Sequence, residues 1–130
     1  MREAHFSWGE ARYFDLWTIV HILSAVTIGM IISLGDFSSL MGYVVAILLI
    51  IGWEVIEYLV YIVSKGKRMF EAIENRLLDI LLGVGIFSLA YHNTIMLDFE
   101  KKILLLVPVL FLNILFAFFG WLHYHQAHVE

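Results

Sequence analysis

Four stretches of predominantly apolar residues, each roughly 20 residues long, dominate the chain: about Phe14–Leu34, Leu40–Val63, Leu77–Leu97 and Ile103–Leu122. A backbone inside hydrocarbon must satisfy its own N–H and C=O groups, so runs of this length read as membrane-spanning helices. The polar sequence left over is too short to clothe a water-soluble core. Of the 130 residues, 62% are hydrophobic and only 15% charged, against about half and a quarter in a soluble domain. The expected fold is an all-α membrane protein, a single transmembrane domain over residues 1–130. Its four helices should cross the bilayer as a compact antiparallel bundle.

The breaks between spans carry turn and charge signals. Leu34-Gly-Asp-Phe-Ser-Ser39 is a short acidic turn, Ser64-Lys-Gly-Lys-Arg68 ends the second span, and Asp98-Phe-Glu-Lys-Lys102 precedes the fourth. Pro108 is expected in the first turns of span four, with a mild kink. Arg2, Arg12, Lys65, Lys67, Arg68 and Arg76 fall on one side of such a bundle and only Lys101 and Lys102 on the other. Basic loops stay cytoplasmic, so both termini should be inside. The first residues lack the apolar core and small-residue cleavage site of a signal peptide, which makes span one its own insertion signal. His5–Phe14 and Arg68–Asn75 mix aromatic or apolar residues with charges, as interfacial segments do.

Other classes are excluded by what is missing. With a net charge of −4 and scattered cations, no basic face exists for nucleic acid. Cysteine is absent, so disulfides, thiolate zinc sites and iron–sulfur clusters are ruled out.

Ionisable residues inside a span cost about 2.5–3.5 kcal/mol each, so they face partners or water. Here they share a depth. His21 lies ~10 Å from the cytoplasmic end of its span, and on the oppositely directed span two Glu57 and Glu54 lie ~9 and ~14 Å from the same surface. Asp79, near the start of span three, is shallower, with Asn75 and Arg76 at its boundary. The outer half offers only His92 and Asn93 near its edge. Small residues mark close helix contact in membranes. His21 precedes Ala25 and Gly29 at four-residue steps; Gly42, Ala46, Ile50 and Glu54 do the same in span two, and Asn75, Asp79 and Gly83 in span three. The polar residues therefore belong to the packed faces.

Glu54 and Glu57 are one turn apart and can ligate one cation or share a proton. Adding His21 and Asp79 gives one imidazole and three carboxylates, a hard donor set suited to a divalent metal (Mn, Fe, Zn or Mg). Tyr58, Tyr61, Asn75 and Arg76 are available to orient those ligands. The same groups suit a proton relay, and they also suit plain ion pairs with Arg68, Arg76 or a protonated His21 that lock helices together. Asn113, alone in an apolar span, reads as an interhelical hydrogen bond, with a dimer face as one place for it. His125 and His128 are one turn apart near Trp121 and Tyr124, and read as an interfacial belt in preference to a metal site.

Trp17-Thr-Ile-Val-His21, Trp53-Glu-Val-Ile-Glu57 and Asn75-Arg-Leu-Leu-Asp79 together resemble small polytopic membrane proteins of the VanZ-like kind. The nearest likeness is to an uncharacterised branch with a first-span His, a Trp-Glu-x-x-Glu and an Asn-x-x-x-Asp, and it covers roughly Asp15 to Phe87. The chain departs from VanZ proper: the acid before the His is farther away, Glu57 stands where Gln is usual, and Asn75 precedes Asp79 in reversed order. The resemblance implies that His21, Glu54, Glu57, Asn75 and Asp79 form the group's polar signature, and it implies no reaction.

Three function classes follow. The first is a membrane-embedded site near the cytoplasmic leaflet that binds a divalent metal and acts on a membrane lipid or amphiphile, with His21, Glu54, Glu57 and Asp79 as ligands or acid–base groups. There Lys65, Lys67 and Arg68 would attract an anionic head group. The second is a proton- or cation-coupled carrier or channel built as a homo-oligomer. The third is a non-catalytic subunit of a larger membrane complex.

Overall fold

A computed structural model describes residues 16–35, 37–63 and 73–127. They form four helices, α1 (Leu16–Leu34), α2 (Ser39–Val63), α3 (Ile73–Thr94) and α4 (Phe99–Ala127), with no strand among the described residues. α1, α2 and α4 are each long and apolar enough to cross a membrane. α3 is the most polar of the four, carrying Glu74, Asn75, Arg76 and Asp79 in its first turns and His92 and Asn93 in its last.

The boundaries differ from the sequence expectation for local reasons. α2 is capped by Ser38, whose hydroxyl accepts from the Met41 N–H and whose carbonyl accepts from Gly42. α3 starts at Ile73, four residues before the expected Leu77, and ends at Thr94, short of the expected Leu97. α4 starts at Phe99, so Glu100, Lys101 and Lys102, expected in a loop, occupy its first turn. Asp98 is the cap: its carbonyl accepts the Lys102 N–H at 3.0 Å and its carboxylate lies 2.9 Å from the Lys101 ammonium. Acidic residues there complement the helix dipole. The earlier start moves Pro108 from the second turn to the third, where it withholds one helical hydrogen bond from the Leu104 carbonyl.

Packing is organised around α1, which touches all three other helices, most extensively α3. The reason is Gly29. A methyl group added there would meet Ala90 Cβ at 2.9 Å, the Phe87 carbonyl at 3.0 Å and the Tyr91 amide nitrogen at 3.0 Å. Only a residue without a side chain lets the α1 and α3 backbones approach so closely. The two helices run parallel, since Gly29 meets Phe87 while His21, eight residues earlier, meets Asp79.

α2 runs the opposite way and completes a stack of layers. Glu54 lies with His21 and Asp79, Ile50 sits over Gly83, and Gly42 faces Ile32 and Tyr91. Each helix steps four residues per layer, so Ala25 shares the Ile50–Gly83 level and Ala46 and Phe87 the level of Gly29, all three within 1% of full burial. The helices pack around α1: α3 and α4 lie along it, and α2 closes over α1 and α3. Only 6% of α4's apolar window is buried, against 44% for α1.

Two polar contacts fix α4. Ser24 and Asn113 exchange hydrogen bonds at 3.1 and 3.3 Å, and the Lys102 ammonium donates to the Ser33 carbonyl at the end of α1. Asn113 thus makes the interhelical bond its sequence context implied, within one chain.

Gly29→Ala should lower the detergent unfolding midpoint by overpacking, about 1–3 kcal/mol. Gly52→Ala, where an added methyl meets nothing within 4 Å, should be neutral or stabilising. Equal effects would show that the α1–α3 approach does not limit stability. A double-mutant cycle of Ser24→Ala and Asn113→Leu should return a coupling of about 0.6 kcal/mol in the same unfolding assay.

Candidate functional site

The four-residue stripes that build the core carry polar groups at one end. On α3, Asn75, Asp79, Gly83, Phe87 and Tyr91 recur on one buried line; on α2, Glu54 continues the line of Gly42, Ala46 and Ile50. His21 occupies the same position on α1, one turn before Ala25. Because α1 and α3 are parallel and α2 antiparallel, the three ends meet.

There the imidazole of His21 stands between two carboxylates. Its Nδ1 is 3.5 Å from Glu54 Oε1 and its Nε2 is 3.8 Å from Asp79 Oδ2. Glu54 and Asp79 are 3% and 1% exposed. One ligand atom from each of the three residues lies within 4.8 Å of the others. Donors bound to one ion at about 2.1 Å sit roughly 3.4 Å apart in a tetrahedral site, so small side-chain movements close the group on a cation.

Two neighbours hold the carboxylates. Asn75, fully buried, donates its Nδ2 to Asp79 Oδ2 at 3.4 Å across one helical turn. Arg76 Nε lies 3.7 Å from Glu54 Oε2, and its guanidinium sits 5.1 Å over the ring of Tyr58. Glu54 therefore faces the imidazole with one oxygen and a cation with the other. The ion pairing with Arg76 that the sequence permitted coexists with the cluster.

Not every expected residue joins. Glu57 is three residues beyond Glu54, which rotates it about 60° off that line; it is only half-buried and does not belong to the 4.8 Å group. Tyr58 is 48% exposed and serves Arg76 in place of the carboxylates. The Tyr61 side chain, and Lys65, Lys67 and Arg68, lie outside the described residues, as do the first 15 residues, His128 and the His125 side chain.

Thr18, 2% exposed and one turn before His21, escaped the sequence reading. So did a second polar group at the far end of the bundle, where Tyr43 hydrogen-bonds Ser88 and, at 3.0 Å, His92 Nε2. The spacing of Ser88 and His92, four residues apart on α3, was the available signal. Tyr43, in an apolar run, gave none.

No family model, no curated protein and no solved structure matches the chain.

Proposed function

We propose that the chain is a multi-pass membrane protein whose His21, Glu54 and Asp79 hold a divalent cation at the inner end of the bundle, in a site that acts on a lipid or other amphiphile. The observation that carries this reading is the convergence of one imidazole and two buried carboxylates within 4.8 Å. One nitrogen and carboxylate oxygens make a hard to borderline donor set, matched to Mn, Fe, Zn or Mg. A divalent charge also offsets the cost of placing two carboxylates among apolar helices. Asn75 orients Asp79, and Glu57, half-buried on the next turn, is placed to exchange protons with a bound substrate.

In this reading α3 crosses the membrane with the other three helices, its charged first turns covered by α1 and α2, and both termini are cytoplasmic. The motif resemblance to VanZ-like proteins falls on the same residues and supports treating them as one unit.

One feature favours a second reading. The two ring nitrogens of His21 face different carboxylates, the arrangement of a proton relay from Glu54 through His21 to Asp79.

Elemental analysis of protein purified in detergent after supplementation separates the two. The metal reading expects about one ion per chain, lost in Glu54→Gln, Asp79→Asn and His21→Ala and kept in Glu57→Gln. A metal-free wild type overturns it. The relay reading expects proton flux in proteoliposomes that stops in His21→Ala, and flux unchanged by that substitution overturns it.

A further inference from the structure

Arg76, whose side chain is 15% exposed, puts a second cation beside the proposed ion site. Its Nε is 3.7 Å from Glu54, whose other oxygen is 3.5 Å from His21, so guanidinium and ion site adjoin through one carboxylate. The guanidinium also rests on Tyr58, which is 48% exposed. That ring belongs to the apolar outer surface of α2, which continues toward the bilayer centre with Val55 and Ile51 about half exposed. Arg76 is three residues before Asp79, nearer the start of α3 by about 4.5 Å. Moving inward from the outer surface, one meets the Tyr58 ring, then the Arg76 guanidinium, then Glu54 with His21 and Asp79.

We propose that this edge binds the phosphate monoester of an amphiphile, with Arg76 as the phosphate-binding residue and the acyl chains lying along Val55, Ile51 and Leu48, toward the bilayer centre. The inference rests on the cation-site reading and names its substrate class. Guanidinium binds phosphate through a planar fork of N–H donors, and hard divalent ions take phosphate oxygens as readily as carboxylates. A phosphate has enough oxygens to touch both at once. A phosphate diester such as that of phosphatidylcholine has one terminal oxygen fewer, a smaller charge and a choline cation beside the guanidinium, so it binds both partners less well. Stacking on Tyr58 fixes the plane of the fork, so binding needs little further ordering.

The test titrates the full chain in non-ionic detergent with short-chain phosphatidic acid, phosphatidylcholine of equal chain length, and inorganic phosphate, followed by native mass spectrometry. Wild type is expected to prefer phosphatidic acid to phosphatidylcholine by about tenfold, the scale of one charge-assisted hydrogen bond, with inorganic phosphate binding far more weakly. Arg76→Gln should abolish the preference and Arg76→Lys should keep part of it, because a point charge replaces the fork. Tyr58→Leu, which leaves the Glu54 contact in place, should reduce the preference and serves if Arg76→Gln fails to fold. Equal binding of the two lipids overturns the proposal, as does an unchanged preference in a folded Arg76→Gln protein. Inorganic phosphate binding as tightly as the lipid overturns the amphiphile and leaves a free phosphate site. Metal content measured on the same samples separates the readings. A selective, metal-free protein removes the cation site alone, and a metal-loaded, unselective one removes the phosphate site alone.

Discussion

The backbone contact at Gly29 sets the geometry on which everything else in the packed unit rests. Two parallel helices that touch at one level and rise equally per residue stay in register along their length. From the level of Gly29 and Phe87, eight residues back on each helix arrive at His21 and Asp79. α2 then needs only its stripe of Gly42, Ala46 and Ile50 to bring Glu54 to the same level. The position of the polar cluster is thus decided some 12 Å away, by the absence of a side chain.

That register explains why the cluster can be buried at all. A carboxylate among apolar helices requires an immediate partner, and here each has one supplied by another residue of the same layer or the next turn. Glu54 has His21 and Arg76; Asp79 has His21 and Asn75. Each of these partners sits on a neighbouring helix or four residues away on its own helix, so none depends on a long loop. The cost of the acids is offset within two turns of helix.

Much of this was legible in the sequence because four-residue steps of small and polar residues survive any choice of rotamer. His21–Ala25–Gly29, Gly42–Ala46–Ile50–Glu54 and Asn75–Asp79–Gly83 are the buried lines of the structure. Chain direction supplied their shared depth. The sequence could not show that Glu57 falls beside the cluster instead of within it, since a 60° offset matters only once the neighbouring helix is in place. Nor could it show Arg76 folded back onto Tyr58, because residues near a span boundary have the same composition whether they face water or pack inward. The start of α4 was less legible, because Asp98–Lys102 reads as a charged break although Asp98 caps the helix. How much of α4 is covered was not legible, because apolar periodicity cannot distinguish a surface facing lipid from one facing protein.

The manner in which α4 is attached has its own consequence. It packs along α1 and little else, with Ser24–Asn113 and Ser33–Lys102 as polar contacts at two levels. Hydrogen bonds of that kind gain strength as water is excluded, whereas interdigitated side chains hold in any solvent that keeps them together. Solubilising agents that let water reach the α1 surface would therefore loosen α4 first. Every member of the polar cluster lies on the other three helices, so that first effect falls outside it.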